Sequence, residues 1–168
     1  MVRSAEPTPP YVEPARHADH AAIADLTVRV YVDGGLAGAA YTLQLADVAG
    51  RAQVAELLVA RDTDGRIVGS VALVLTGDFG EVTVSDDEAA FRMLVVDPSA
   101  QRRGIGRLLV TACLERARRA GKKRVVLSTD PRMTAAHRLY ESLGFTRLPE
   151  RDWSPLPGVD LLVYSLDL

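Results

Sequence analysis

Residues 91–106 of the chain, FRMLVVDPSAQRRGIG, predict a buried strand, a short loop and the start of an amphipathic helix. The strand ends at Asp97-Pro98, and Gly104 and Gly106 stand where the helix begins. The first turn of a helix has about four N–H groups without an intrahelical partner, together with a partial positive charge. Because glycine lets an anion approach the main chain closely, this stretch predicts a site that holds a pyrophosphate.

The helix after these glycines and the next strand indicate a βαβ unit. The helix is predicted over residues 104–120, with Gly121 at its C-terminal end, and the strand over residues 125–129. Two strands joined through one helix are expected to be parallel, with a right-handed crossover. The sequence therefore predicts a sheet with a parallel pair.

The remaining elements are predicted from apolar spacing and turn signals. Residues 55–61 and 66–76 form two strands, which Asp64-Gly65 connects as a hairpin. The other predicted elements are helices over 19–33, 41–50 and 133–143 and strands over 11–14, 81–84, 145–148 and 161–166.

Length and composition predict one globular domain. Among the 168 residues, the proline-rich stretch 1–10 is expected to be a flexible tail and 11–168 the single domain. No segment approaches the roughly 20 consecutive apolar residues of a membrane span, and the N-terminal stretch lacks the apolar core of a signal peptide. The single cysteine, Cys113, cannot form an internal disulfide, so a cytoplasmic location is expected.

Charge is distributed unevenly along the chain. Residues 92–138 contain twelve basic and three acidic side chains, whereas the whole chain has a net charge of −2. The basic residues cluster at the glycine loop, and no aromatic side chains alternate with them as a stacking platform for bases. This pattern favours a small phosphorylated ligand and argues against nucleic acid or a membrane as the partner.

Two motifs resemble those of a known family. Residues 101–106, QRRGIG, fit the signature Q/R-x-x-G-x-G/A, and residues 136–145, AHRLYESLGF, fit A-x-x-L-Y-x-x-x-G-F. Their order and separation are those of the GNAT superfamily of acetyl-CoA-dependent N-acetyltransferases, which the chain resembles. The resemblance implies a single-domain α/β (α+β) fold. Its central sheet would be mixed, mostly antiparallel, with six or seven strands, a splayed parallel pair at about 89–96 and 124–129, and about four helices on both faces.

The resemblance also implies how acetyl-CoA is bound. The pantetheine arm would lie between the two splayed strands and pair with the main chain of the first one. The amides of the glycine loop would hold the pyrophosphate, and nearby arginines would hold the phosphates. The implied cofactor-binding residues are Leu94, Val95, Val96, Gln101, Arg102, Arg103, Gly104, Ile105, Gly106 and Arg107.

The implied reaction moves an acetyl group to a primary amine by direct attack on the thioester. Tyr140 matches the family's usual general acid, and a backbone N–H near Val95 or Val96 would stabilise the tetrahedral intermediate. Glu88 is the candidate base because it lies at the mouth of the strand that leads to the acyl site, although a water chain could serve instead. His17 and His20 have no third ligand nearby in sequence, so no metal is expected.

In this family the acceptor is held by the first two helices and by the loop between the last strands. In this chain those segments contain Tyr31 and Trp153, which are the candidate substrate-binding residues. Acidic neighbours such as Asp86 and Asp87 favour a small cationic amine, and a peptide amine stays open. Family members often dimerise, so a homodimer is an expectation.

Two other functions compete with this interpretation. A dinucleotide-binding domain would have G-x-G-x-x-G, but Leu109 replaces the third glycine and six residues separate Asp97 from Gly104. A catalytically degenerate acyl-CoA-binding module is the second alternative. Met133 leaves it open, since many family members have an asparagine there, whereas the presence of Tyr140 argues against it.

Overall fold

The computed structural model describes residues 9–36, 38–77 and 82–168. The expected tail over residues 1–10 falls almost wholly outside those ranges, and so does Glu81, the first residue of one predicted strand. The remaining three residues of that predicted strand, 82–84, are not in a strand.

The described residues form five α-helices and eight β-strands. The helices are α1 His20–Asp33, α2 Ala39–Ala46, α3 Val48–Val54, α4 Ile105–Arg119 and α5 Thr134–Ser142. The strands are β1 Tyr11–Pro14, β2 Glu56–Arg61, β3 Ile67–Val74, β4 Glu88–Val96, β5 Arg124–Thr129, β6 Thr146–Arg147, β7 Trp153–Leu156 and β8 Val159–Asp167. No helix among these residues is both long and apolar enough to cross a membrane.

The sheet is mixed and mostly antiparallel, which confirms the predicted fold class. Its strand order is β1-β2-β3-β4-β5-β8-β6, with β7 paired to β8, and only β4 and β5 are parallel. The structure has one helix more than predicted, because Asp47 divides the helix expected over 41–50 into α2 and α3. Its carboxylate accepts a hydrogen bond from the amide of Gly50 and so begins α3. The strand β7 lies in a segment that has no strand in the prediction.

Helices cover both faces of the sheet. On one face, α4 and α5 pack on a core that includes Phe91, Leu109 and Tyr140. On the other face, α1 and α3 pack through Ile23 and Val48 on a smaller cluster. Cys113 lies on the buried face of α4, and burial raises the pKa of its thiol to about 12, so the thiol stays protonated and unreactive.

The parallel pair β4–β5 is bonded over only part of its length. Its three register pairs are Glu88 with Arg124, Ala89 with Val125 and Ala90 with Val126. Beyond Ala90, β4 pairs only with β3, while β5 continues to Thr129 paired only with β8. The two strands therefore separate, as the resemblance implied, and leave a slot between them.

A β-bulge in β4 lies just beyond this separation. Ser70 is opposite Val95 and Ala72 is opposite Arg92, so Met93 and Leu94 together face one residue of β3. Met93 has φ +52°, a left-handed conformation that costs a bulky residue roughly 1–2 kcal/mol. Because a bulge bends the strand that contains it, this distortion turns β4 where its edge becomes open.

The close approach of α4 to β3 at Gly69 fixes the height of that helix above the sheet. A Cβ atom at Gly69 would lie 2.9 Å from a side-chain carbon of Ile105 and 2.9 Å from one of Leu109. Both residues are fully buried in the first half of α4. A side chain at residue 69 would therefore push the start of α4 away from the sheet.

Replacing Gly69 with alanine is expected to lower the free energy of unfolding by about 1–3 kcal/mol, because the core cannot accept the added methyl group. Urea unfolding followed by circular dichroism measures this change. Gly38→Ala is the control, since a Cβ there meets nothing within 4 Å and the loss should stay under about 1 kcal/mol. Equal losses in the two variants would contradict the close packing of α4 on β3.

Candidate functional site

The glycine loop connects the bulged strand to α4 with two left-handed residues. After β4, Pro98–Ala100 forms one 3-10 turn, and the chain then reaches α4 through Arg102 and Gly104. Arg102 has φ +64° and Gly104 has φ +76°, so only the second position has the residue that adopts this conformation without strain. These two residues turn the backbone so that α4 begins directly beside the end of β4.

The main-chain amides of this loop are largely unpaired. The first helical hydrogen bond of α4 runs from the amide of Leu108 to the carbonyl of Gly104. The amides of residues 102–107 donate to none of the described residues, whereas the amide of Gln101 donates to the carbonyl of Pro98. Consecutive free N–H groups at the positive end of a helix form an anion-binding site.

Asp97 anchors the loop at its other end. Its carboxylate accepts hydrogen bonds from the amide of Ser99 at 2.9 Å and from the hydroxyl of Ser99 at 2.7 Å. The other oxygen accepts from Arg29 on α1 at 3.2 Å. Although burial opposes ionisation, the Ser99 hydrogen bonds and the Arg29 charge together hold the pKa of Asp97 below its usual value. The sequence carried a signal for this role, because aspartate before Pro-Ser often caps such a turn.

The arginines around the loop differ in how they are held. Arg107 donates to the hydroxyl of Ser142 at 2.7 Å and so links α4 to α5. Arg102 and Arg103 are exposed and make no ion pair with a described residue. Both guanidinium groups are therefore available to a phosphate that binds at the loop.

The open edge of β4 lies directly before this loop in the chain. Val95 is buried, whereas Leu94 and Val96 are half-buried, and all three lie beyond the last residue that pairs with β5. Their main-chain edge toward β5 meets no strand of the described residues. An extended ligand can therefore pair with this edge as an added strand would.

Tyr140 lies in an aromatic cluster on the α4–α5 face. Its ring is 5.9 Å from Phe91, 5.9 Å from Phe145 and 6.0 Å from Tyr164, and 4% of the residue is exposed. Burial raises the pKa of the phenol above its usual value, so the hydroxyl keeps its proton at neutral pH. No hydrogen bond joins this hydroxyl to a described residue, so its O–H remains free to donate.

The chain matches a known protein family over the residues that contain these motifs. The sequence profile of the acetyltransferase (GNAT) family matches residues 21–145, which include the loop, the open edge and Tyr140. The chain belongs to the GNAT acetyltransferase family.

Among curated GNAT relatives, the mycothiol acetyltransferase of Nocardiopsis dassonvillei is 36% identical over 134 residues, which cover 76% of this chain. The N-acetylaspartate synthetase of Danio rerio is 36% identical over 95 residues, or 56% of this chain. The aligned part spans 31% of the length of each of these relatives.

Solved structures of the family share the whole fold. A GCN5-related N-acetyltransferase from Kribbella flavida has a TM-score of 0.70 and 25% identity, with 97% of this chain and 100% of that chain covered. A Salmonella typhimurium protein solved with its cofactor acetyl-CoA has a TM-score of 0.69 and 23% identity, with 96% and 95% covered. Acetyl-CoA is the acyl donor of the GNAT family. Among the described residues of this chain, no group of acidic, histidine or cysteine side chains could hold a metal ion.

Glu88, the candidate base, is held in an ion pair in this GNAT chain. Arg151 donates to both of its oxygens, at 2.8 and 3.0 Å, and the amide of Val84 donates to one of them at 3.0 Å. Burial opposes ionisation, but the hydrogen bonds and charge of Arg151 outweigh it and lower the pKa of Glu88. The carboxylate is thus a weak base, and its contacts tie the start of β4 to the turn Pro149–Arg151.

The candidate acceptor residues lie on the face of the GNAT sheet opposite Tyr140. Tyr31 is half-buried on α1, with its ring 6.1 Å from that of Tyr41. Trp153 is half-buried on β7 and packs against Ala90 and Val126. Phe91 follows Ala90 on β4, so its side chain points to the opposite face of the sheet. On that face Phe91 contacts Tyr140. The slot between β4 and β5 therefore has Tyr140 on one face of the sheet and Tyr31 and Trp153 on the other face, which is the acceptor side.

Three polar groups near the usual asparagine position are engaged with one another. Met133 precedes α5 and provides no side-chain cap. The His137 ring lies 3.4 Å from the Thr129 hydroxyl and 3.1 Å from the Asp130 carbonyl, so these groups hold α5 against the end of β5.

The Asp97 anchor predicts a pH-dependent stability. Replacing Asp97 with asparagine removes the charge, and it should cost about 1–3 kcal/mol of unfolding free energy at neutral pH. The folded pKa is lowered, so the carboxylate's contribution is present above its usual value of 3.8 and is lost as the pH falls through the lowered pKa. Denaturant unfolding of both proteins should show the difference shrinking toward a pH of about 3. A difference that stays constant with pH would contradict the charged anchor.

Proposed function

We propose that this chain transfers an acetyl group from acetyl-CoA to a primary amine by direct attack of the amine on the thioester. One observation carries the proposal. The unpaired amides of residues 102–107 stand at the end of the open edge of β4, which leads back to the cluster that contains Tyr140. This arrangement suits a ligand with a diphosphate at one end and a reactive thioester at the other.

The donor would bind through the main chain and the loop arginines. The amides of residues 102–106 would donate to the diphosphate at the start of α4. Arg102, Arg103 and Arg107 would neutralise the phosphates. The pantetheine arm would lie in the slot and pair with the edge at Leu94 and Val96, as an added strand does.

The chemistry then needs a nucleophile, an oxyanion donor and an acid. The neutral amine forms a C–N bond to the carbonyl carbon, and a backbone N–H near Val95 or Val96 donates to the oxyanion. When the C–S bond breaks, Tyr140 donates its proton to the leaving sulfur. Because both oxygens of Glu88 are held by Arg151, we propose that water, and not Glu88, takes the proton that the amine loses.

The acceptor is a primary amine held between Tyr31 and Trp153. The relatives reported above are named mycothiol acetyltransferase and N-acetylaspartate synthetase, so their names differ in the acceptor that they imply. The prediction of a cationic acceptor relied on the acidic turn that contains Asp86 and Asp87. In that turn Asp87 pairs with Lys123 at 3.5 Å, and Lys122 donates to the carbonyl of Asp86.

Replacing Tyr140 with phenylalanine is expected to lower kcat at least about tenfold, because the leaving sulfur loses its proton donor. The KM for acetyl-CoA should change little, since the diphosphate contacts remain. Release of free thiol from acetyl-CoA with a panel of amines measures both constants.

Tyr164→Phe is the matched control for that variant. Tyr164 lies in the same aromatic cluster but donates its hydroxyl to Glu141, so its loss should leave kcat nearly unchanged. Normal turnover in the Tyr140 variant would contradict its role as the acid. Binding of acetyl-CoA without turnover of any amine would favour the non-catalytic acyl-CoA-binding module.

Replacing Gly104 with alanine is expected to weaken coenzyme A binding about fivefold or more. Alanine at φ +76° costs roughly 1 kcal/mol, so the loop relaxes and its amides must be turned back toward the diphosphate. Gly121→Ala is the matched control, because Gly121 has φ +74° at the far end of the same helix. Calorimetric titration of both variants should show the loss only at Gly104, and equal affinities would contradict the loop site.

A further inference from the structure

Arg51 on α3 is a buried cation whose hydrogen bonds are incomplete. Only 4% of the residue is exposed, and its Nη1 donates to the carbonyl of Gln44 at 3.0 Å. Its Nη2 is buried and has no hydrogen-bond partner among the described residues, and none of their carboxylates lies within ion-pairing distance. A buried guanidinium without an anion is costly, so a ligand that brings an anion to Arg51 would relieve that cost.

The charge around Arg51 is positive where the acceptor residues are. Tyr31, Tyr41 and Arg92 are all near enough to act electrostatically on its guanidinium. Arg92 is opposite Ala72 in the sheet, and Ala72 packs in the cluster under α1 and α3. Residues directly opposite on neighbouring strands share a face, so Arg92 points to the same face as Arg51. Both guanidinium groups are also near enough to Tyr31, on the acceptor side of the slot, to act on it electrostatically.

The nearest acid does not form an ion pair with Arg51. Asp47 favours the charged form of Arg51, but one of its oxygens accepts from the amide of Gly50 and no ion pair joins it to Arg51. Its carboxylate is therefore committed to the start of α3. Among the described residues, no carboxylate pairs with the charge of Arg51, which another anion could therefore neutralise.

The opposite wall of the acceptor side also offers a donor. The indole Nε1 of Trp153 is buried and has no hydrogen-bond partner in the part of the chain that the structure describes. Trp153 packs on Ala90 and Val126, which form the floor next to Arg92. A carboxylate accepts about four hydrogen bonds through its two oxygens and offers no donor of its own, so it suits a site lined by donors.

We infer that the acceptor amine also carries a carboxylate, as an amino acid does, and that Arg51, with Arg92 beside it, binds that carboxylate. The inference rests on the proposed function, and it names the class of acceptor. Arg92 lies on β4 two residues beyond the last pair with β5, where the slot opens. A carboxylate at Arg51 and Arg92 leaves the amine end of the same molecule facing the thioester in the slot. Arg51 is in this sense a specificity-determining residue, and guanidinium matches carboxylate through two parallel hydrogen bonds.

The test compares acids with their amides. Acetylation of the common amino acids and of the carboxamide of each is followed by thiol release, for the wild type and for Arg51→Met. The wild type should favour the best acid over its amide at least about tenfold in kcat/KM, and Arg51→Met should reduce that ratio to about threefold or less. The rate with the amide should stay within about threefold in both proteins, because the amide lacks the charge that Arg51 recognises.

Two further variants keep this test decisive. Arg92→Gln should also lower the ratio of kcat/KM for the acid to that for its amide. If Arg51→Met does not fold, this second variant tests whether the carboxylate is recognised. Arg119→Gln is the control, because Arg119 is exposed in the last turn of α4 and should leave the ratio unchanged. An amide as good as its acid in the wild type, or an undiminished ratio in both the Arg51 and the Arg92 variants, would overturn the inference while leaving the proposed function intact.

A binding measurement separates this inference from the proposed function. In the presence of coenzyme A, calorimetry compares an N-acetyl amino acid with its carboxamide as products. If no amine is acetylated, the proposed function fails, but tighter binding of the acid that is lost in Arg51→Met would still support the carboxylate site. Equal binding of the two products would overturn the site as well.

Discussion

Strand β4 cannot bond to β5 along its whole length, and the geometry of the site follows from that constraint. The two strands share three register pairs and then separate, while β4 stays fixed to β3 on its other side. A main-chain edge buried in a sheet and left unpaired would be costly, so an edge of this kind is suited to an extended ligand. The bulge at Met93 adds strain at the same point. Strain of this kind persists only where the surrounding structure holds it, here the packing of Phe91 and Val95 on either side.

The same strand connects the two halves of the reaction site. Its Phe91 side chain contacts Tyr140 on one face, and Arg92, the next residue, points to the face of α1 and α3. Because alternate residues of a strand point to opposite faces, neighbouring positions of β4 serve the donor side and the acceptor side. The slot is where the two sides meet. A single strand thus sets the position of the thioester, of the acid and of the incoming amine in the proposed reaction.

Helix α4 completes the site because its height and its start are both fixed. Gly69 allows Ile105 and Leu109 to lie close on β3, and Asp97 holds the turn that precedes the loop. The hydrogen bond from Arg29 to Asp97 also ties α1 to this turn. The amides proposed to bind the diphosphate are consequently held by packing on one side and by a buried carboxylate on the other. Such preorganisation lowers the entropy that binding has to overcome.

The sequence predicted those features that depend on neighbouring residues. The strand, the glycine loop, the helix after it and Tyr140 are encoded in short stretches, and the resemblance to GNAT proteins followed from the same residues. The break between α2 and α3 was missed because Asp47 looks like any polar residue of a weak helix until its carboxylate caps Gly50. The bulge was missed because nothing in the residue type of Met93 indicates a left-handed backbone.

Other features depend on contacts between distant parts of the chain. Glu88 looked like a base in an acidic turn, but Arg151, 63 residues away, holds both of its oxygens. Arg51 was not singled out by the sequence, and the structure buries it near Tyr31. Burial and ion pairing of this kind arise only when the sheet has formed, and no local pattern signals them.

The claim that main-chain amides hold the diphosphate is tested most directly by NMR of the ¹⁵N-labelled protein. Coenzyme A and pantetheine share the arm that fits the slot, but only coenzyme A has the diphosphate. The account predicts that the amides of residues 102–106 shift on adding coenzyme A and stay unchanged with pantetheine, while the amide of Gln101, already bonded to Pro98, moves little. If those amides do not respond to saturating coenzyme A, or respond equally to pantetheine, the account is contradicted.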